Sequence, residues 1–166
     1  RDLLLHEEGD ILGGNPSELL YVSVKESGRY KIKRRDLNGS VETLVLGDGE
    51  FSYMEPDYLP LLDRLLYISD ASGSLEVWMS NGLGGERHQL TVGFGDSYLG
   101  FAAHAPKWAP DGTGLVFESN AFDMTSRDNL DERVYHLYYL GYDARENSPA
   151  VTLADGSLTD HLDYQA

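Results

Sequence analysis

The residues with the clearest capacity for ligand chemistry are two carboxylates and two imidazoles, at Glu55, His104, Asp160 and His161. Each lies shortly before an aromatic residue in a β-type run, and we expect these runs to begin at one common end of the fold. Carboxylate and imidazole groups converging there could bind a metal ion, another cation or a basic peptide. The simpler alternative is hydrogen bonding within the loops. The set lacks a close spacing such as His-x-x-x-His, so we predict no metal site.

A repeated unit would position these residues. Its clearest copy runs from Ala105 to Asn120, with the tight-turn sequence Pro110-Asp111-Gly112 between two strand-type runs. Weaker copies occur upstream, and Leu19, Leu65 and Leu115 are predicted to be equivalent, at spacings of 46 and 50 residues. Four short strands per unit at a period of about 45 residues are typical of a β-propeller blade.

The aromatic residues of the repeated unit, Tyr58, Trp108 and Tyr164, share one position in it. An aromatic residue on the inner strand of a blade is predicted to pack in the core between neighbouring blades. The alternative is that these rings stack on a ligand.

The fold class expected from this pattern is all-β, with blades of four antiparallel strands. We expect complete blades over residues 10–47, 48–95 and 96–156, the last with an inserted loop over 121–133. Residues 1–9 are expected to be the last strand of a preceding blade, and residues 157–166 the first strand of a following one. Three blades alone would leave apolar faces and sheet edges exposed. We therefore expect a segment of a longer propeller, or one that closes against another copy.

The run Pro106-Lys107-Trp108-Ala109-Pro110-Asp111-Gly112, followed by Leu115-Val116-Phe117 and Ser119-Asn120, resembles the repeat of the TolB-like β-propellers, a relative of the WD-type repeats. Gln89-Leu90-Thr91 is similar to the usual end of a blade in that family. The second copy departs from the pattern, since Leu61-Leu62 stands where the family has Asp-Gly.

The resemblance implies a propeller of roughly six to eight blades and a periplasmic or extracellular setting. One implied function is a non-enzymatic scaffold that binds a protein or peptide through its rim and channel loops. The alternative is the propeller portion of a larger enzyme, such as a prolyl oligopeptidase-like serine peptidase, with catalytic residues outside this chain. A weaker option is a metal-dependent sugar lyase built on a propeller.

Composition narrows the range of partners. The formal net charge is -15, which disfavours nucleic acid and anionic membrane surfaces. No apolar run approaches the roughly 20 residues of a membrane span, so we expect no membrane insertion. Cysteine is absent, which excludes disulfides and thiolate chemistry. Expected partners are a protein or peptide, together with further blades from the same precursor or from another chain.

Two further features bear on function. Arg29, Lys31 and Lys33 alternate along one strand face and form a basic stripe on an acidic protein. The stripe is either a docking site for an acidic partner or an ordinary solvated strand. The sequence contains no Gly-x-Ser-x-Gly nucleophile elbow and no phosphate-binding glycine loop. We therefore expect no catalytic residues and no cofactor in this chain.

Overall fold

The computed structural model describes residues 19–36, 42–121 and 134–144, together with the backbone of 161–162. These residues form three antiparallel sheets, as the sequence predicted. Within the described part of the chain, no helix has the length and apolar character needed to cross a bilayer.

The three sheets follow one another along the chain. The first contains β1 (Leu19–Glu26), β2 (Arg29–Asp36) and β3 (Glu42–Leu46). The second contains β4 (Tyr53–Leu59), β5 (Arg64–Ser69), β6 (Glu76–Ser80) and β7 (His88–Gln89), with a short 3-10 turn at Pro60–Leu62 between its first two strands. The third contains β8 (Ala103–Trp108), β9 (Gly114–Ser119), β10 (His136–Gly141) and β11 (His161–Leu162).

The second sheet is buried on both faces, because side chains alternate along a strand. Leu65 and Tyr67 of β5 face the first sheet, where they pack with Tyr21 and Ile32. Leu66 and Ile68 face the third sheet and join its apolar residues. The sheets are therefore stacked face to face in chain order, as blades are in a propeller.

The second and third sheets repeat with a spacing of 50 residues. Tyr58 pairs with Leu65, and Trp108 pairs with Leu115. Ser52 N–H donates to Asp70 Oδ1 at 2.8 Å, and Ala102 N–H donates to Asn120 Oδ1 at 2.9 Å, again 50 positions further on. The predicted equivalence of Leu65 and Leu115 is confirmed.

The predicted equivalence of Leu19 with Leu65 is wrong. Leu19 and Tyr21 pack towards the following sheet, whereas Leu65 and Tyr67 pack towards the preceding one. A shift of one residue along a strand exchanges its two faces, so the leucine alignment places the first sheet out of phase by an odd number of residues.

The segment expected to begin a following blade contains two described residues. His161–Leu162 pairs antiparallel with β10 and forms the outer strand of the third sheet. In this position β11 provides hydrogen-bond partners for the backbone groups on the edge of β10 opposite β9. The end of the third expected blade, residues 145–156, lies outside the described residues, as do the segments 1–18 and 122–133. The proposed blade boundaries stay a prediction.

Candidate functional site

Two backbone bulges at equivalent positions bring Glu55 and His104 together. The pairing of β4 with β5 is interrupted between Met54 and Asp57, and that of β8 with β9 between His104 and Lys107. Glu55 and Ala105 have left-handed backbones, with φ of 54° and 47°. Bulges re-aim side chains and leave local N–H groups without a ladder partner. Ala105 N–H is one such group.

The carboxylate of Glu55 spans the gap between the two inner strands. Its Oε1 lies 3.1 Å from His104 Nδ1, and its Oε2 accepts the Ala105 N–H at 2.6 Å. A carboxylate only accepts hydrogen bonds, so His104 Nδ1 carries the proton. In the neutral ring, Nε2 is then the atom that can accept a bond from a partner. The side chains of His104 and Glu55 remain 30% and 29% exposed.

Tyr135 and Glu118 complete this cluster. The Tyr135 ring lies 5.6 Å from the His104 ring, and Glu118 is directly opposite His104 in the β8–β9 pairing. Burial raises the pKa of Tyr135, and the negative charges of Glu55 and Glu118 raise it further. We call Glu55, His104, Ala105, Glu118 and Tyr135 the inner-strand joint.

The charge state of Glu55 follows from its contacts. Partial burial would raise its pKa, but the hydrogen bonds from His104 and the Ala105 N–H outweigh that effect. Electrostatic attraction to His104 and Lys107 acts in the same direction, and the pKa of Glu55 lies below its ordinary value. Glu55 is therefore an anion at neutral pH.

A second carboxylate fastens the same two strands. Asp57 is buried, and its Oδ2 accepts the Trp108 N–H at 2.8 Å while Oδ1 accepts a bond from Lys107 Nζ at 3.1 Å. The inner strands β4 and β8 belong to different sheets, so no continuous ladder of backbone hydrogen bonds joins them. Glu55 and Asp57 supply acceptors for β8 instead, and this holds the joint in place.

The structure brings together only part of the predicted site. Glu55 and His104 are in contact, but His161 lies on β11, separated from β8 by β9 and β10. Three strand spacings of about 4.8 Å put those two backbones roughly 14 Å apart. The convergence of His161 with His104 gains no support from the strand order and stays a prediction. Asp160 lies outside the described residues. No group of three or more potential metal ligands occurs among the residues that are described.

The predicted basic stripe is matched by acidic residues of its own chain. Lys31 and Lys33 both bind Glu26, with Nζ–O distances of 3.1 and 2.5 Å. Arg29 reaches Asp70 of the second sheet at 3.5 Å. These pairs confirm that Lys31 and Lys33 share a face, and the docking role of the stripe stays a prediction.

The aromatic residues of the repeated unit lie in the core, as predicted for Tyr58 and Trp108. Their exposed fractions are 7% and 8%. The ring of Tyr58 packs 4.6 Å from that of Tyr21 of the preceding sheet. Tyr164 lies outside the described residues.

Sequence reasoning missed Tyr135, Glu118 and the Ala105 amide. Counting outwards from the hairpin turn at Pro110–Gly112 places Glu118 opposite Ala105, and the bulge shifts the actual pairing by one residue to His104. The bulge that frees the Ala105 N–H had no signal in the sequence, because neither Glu55 nor Ala105 is a residue type that favours a left-handed backbone.

Comparison with known proteins identifies the fold. No protein-family model and no curated protein sequence matches the chain. A solved structure of a TolB-type protein from Agrobacterium tumefaciens is similar, with a TM-score of 0.59 and 22% identity over 76% of this chain. The crystal structure of TolB from Acinetobacter baumannii is similar with a TM-score of 0.55 and 14% identity over 84% of this chain.

The chain therefore has the TolB-like β-propeller fold, and the predicted resemblance is confirmed at that level. The present chain spans 42% and 28% of the lengths of these two proteins. Fold similarity at such identities says nothing by itself about activity.

Proposed function

We propose that this chain is a non-enzymatic scaffold that binds a protein or peptide partner at the inner-strand joint, through a basic group of that partner. One observation carries the proposal. The carboxylate of Glu55 and the imidazole of His104 are fixed by two bulged strands yet remain about 30% exposed.

The chemistry of the joint favours a cation. Each carboxylate oxygen of Glu55 has two lone pairs, so the contacts to His104 and Ala105 leave capacity for a further donor. Glu118 adds a second negative charge beside the ring of Tyr135. A lysine or arginine of a partner could bind the carboxylates while lying against that ring.

The rigidity of the joint supports a binding role. Binding is weakened when side chains must be ordered as the partner arrives. Glu55 is already held at both oxygens, and Asp57 fastens the neighbouring part of β8. A partner would therefore bind a carboxylate that is already fixed in position, on a strand and not on a free loop.

The experiment compares two peptides of opposite charge on two matched variants. A fluorescein-labelled Ala-Arg-Ala-Arg-Ala peptide and its Ala-Glu-Ala-Glu-Ala counterpart are titrated with the protein. Glu55→Gln and Glu50→Gln each remove one negative charge, but the exposed Glu50 lies outside the joint. We expect the basic peptide to bind, and Glu55→Gln to weaken it about fivefold or more.

The Glu50→Gln control separates the effect of the inner-strand joint on peptide binding from the effect of the overall charge. Because the protein carries a net charge of -15, any basic peptide will associate weakly with its surface. Glu50→Gln should change the affinity by less than about twofold. Equal losses for the two variants, or no binding of the basic peptide, would refute the proposal.

We also propose a periplasmic or extracellular setting, which rests on the TolB-like fold. The test is fractionation of cells that express the natural full-length precursor. Recovery in the cytoplasmic fraction alone would contradict this setting without bearing on peptide binding.

A further inference from the structure

The loop over residues 92–101, which joins the second and third sheets, exposes apolar side chains. Val92, Tyr98 and Leu99 have exposed fractions of 80%, 94% and 44%. We call this segment the Tyr98 loop. Single exposed apolar residues are common on protein surfaces, but a cluster on one short loop is a feature of interaction sites.

The base of the Tyr98 loop is fixed in the core. Phe94 is 5% exposed and packs edge-on against Phe117 and Tyr138, with ring centroids 5.0 and 4.9 Å away. The Ser119 hydroxyl donates to the Phe94 carbonyl at 2.9 Å. Gly95 N–H donates to the buried carboxylate of Glu76, also at 2.9 Å.

The tip of the loop is ordered by its own hydrogen bonds. Asp96 and Phe101 exchange two backbone hydrogen bonds of 2.9 Å. The side chain of Asp96 accepts the N–H groups of Tyr98 and Leu99 at 2.9 and 3.0 Å. Near the end of the loop, the side-chain amide of Asn120 donates a hydrogen bond to the Gly100 carbonyl at 3.1 Å. Tyr98 is thus displayed on a constrained backbone rather than on a free chain.

The Tyr98 loop leads directly into the inner-strand joint. Its last residue, Phe101, precedes His104 by three positions, a distance of at most about 10 Å along an extended chain. The apolar loop and the anionic cluster therefore belong to the same end of the third sheet. A ligand that satisfies both must combine apolar side chains with a positive charge.

We propose that the Tyr98 loop is the apolar half of the partner-binding surface, and that its occupant is a polypeptide segment with a basic residue next to aromatic or aliphatic ones. This inference rests on the proposed function, since the basic residue is taken by the inner-strand joint. Tyrosine on an ordered loop offers a large contact area at little entropic cost, which makes Tyr98 the expected hot spot.

The test starts from a phage-displayed library of random peptides selected on the immobilised protein. We expect enriched sequences to contain arginine or lysine beside aromatic or aliphatic residues. The enriched peptide is then synthesised and titrated with Tyr98→Ser, Leu99→Ser and Leu83→Ser variants. Leu83 is 63% exposed and follows the opposite end of β6 from the one that anchors the loop, so Leu83→Ser is a matched control.

We expect Tyr98→Ser to weaken binding about fivefold or more and Leu83→Ser to leave it within about twofold. All three side chains are exposed, so these variants should keep the fold. Circular dichroism and the unfolding midpoint check this directly.

The outcomes distinguish the two proposals. If binding depends on Glu55 but not on Tyr98 or Leu99, the inner-strand joint binds the partner and the Tyr98 loop does not. If binding depends on Tyr98 but not on Glu55, the loop is an interaction surface and the proposed function of the joint fails. If no sequence is enriched, or the enriched sequences lack apolar residues, the inference about the loop is overturned.

Discussion

Glu55 and Ala105 occupy the same position on successive inner strands, and the carboxylate of Glu55 accepts the backbone N–H of Ala105 at 2.6 Å. Both residues lie in a bulge with a left-handed backbone. The Glu55 side chain, in the bulge of the second sheet, thus binds the backbone in the bulge of the third sheet. Because alanine occupies this position in the third sheet, that sheet offers no carboxylate there.

The first prediction concerns Asp57, the other carboxylate that fastens these strands. Asp57→Ala leaves the Trp108 N–H without its acceptor and should lower the free energy of unfolding by about 2–4 kcal/mol. Lys107→Met keeps that acceptor and should cost less, because Lys107 is 43% exposed. Urea denaturation measures both. Equal costs would mean that the ion pair, and not the backbone contact, fastens the strands.

The second prediction is the pH dependence of the contribution of Glu55. Its pKa in the folded state lies below the ordinary value of 4.5, so ionised Glu55 stabilises the fold. This contribution is complete above about pH 4.5 and is lost as the pH falls through the lowered pKa. The difference in urea midpoint between the natural protein and Glu55→Gln should therefore shrink on acidification. A difference that stays constant from neutral pH to about pH 3 would contradict the account.

The third prediction compares two buried tyrosines. The Tyr21 hydroxyl donates to the Gly82 carbonyl at 2.8 Å, so Tyr21→Phe should cost about 1 kcal/mol. Within the described residues, the buried hydroxyl of Tyr67 has no hydrogen-bond partner. Tyr67→Phe removes an unsatisfied polar atom and should be neutral or slightly stabilising. Thermal unfolding of the two variants checks this, and a larger loss for Tyr67→Phe would show that its hydroxyl is satisfied.

The fourth prediction tests the anchor of the Tyr98 loop. The carboxylate of Glu76 is buried and accepts bonds from the Thr91 hydroxyl at 2.5 Å and the Gly95 N–H at 2.9 Å. Glu76→Ala should destabilise the protein by about 2–3 kcal/mol and speed amide hydrogen exchange in residues 92–100. If exchange in the loop is unchanged, Phe94 alone is a sufficient anchor.

The sequence predicted where the strands lie better than it predicted which neighbouring sheet each strand face contacts. The uninterrupted apolar run Leu65-Leu66-Tyr67-Ile68 is the pattern of a strand buried on both faces, and the structure places it between the first and third sheets. The first sheet was misaligned because Leu19-Leu20-Tyr21 and Leu65-Leu66-Tyr67 are identical tripeptides whose faces are set by tertiary packing. Identity of residues could not reveal which face of each strand meets which neighbouring sheet.

The candidate site was predicted in part for a related reason. Glu55 and His104 were found because both lie shortly before the aromatic residue of a repeat, Tyr58 or Trp108. His161 was included by the same rule, and in the structure it lies on the outer strand of the third sheet. The Tyr98 loop was missed because its anchors, Glu76, Ser119 and Asn120, are distant from it in sequence.

The measurement that tests the central claim most directly is a nuclear magnetic resonance titration of the nitrogen-labelled protein with the basic peptide selected by binding. The account predicts that the amide resonances of His104, Ala105, Tyr98 and Leu99 shift together and fit one dissociation constant, while Leu83 stays unchanged. Shifts that leave Ala105 and His104 unmoved, or that spread evenly over the acidic surface, would contradict it.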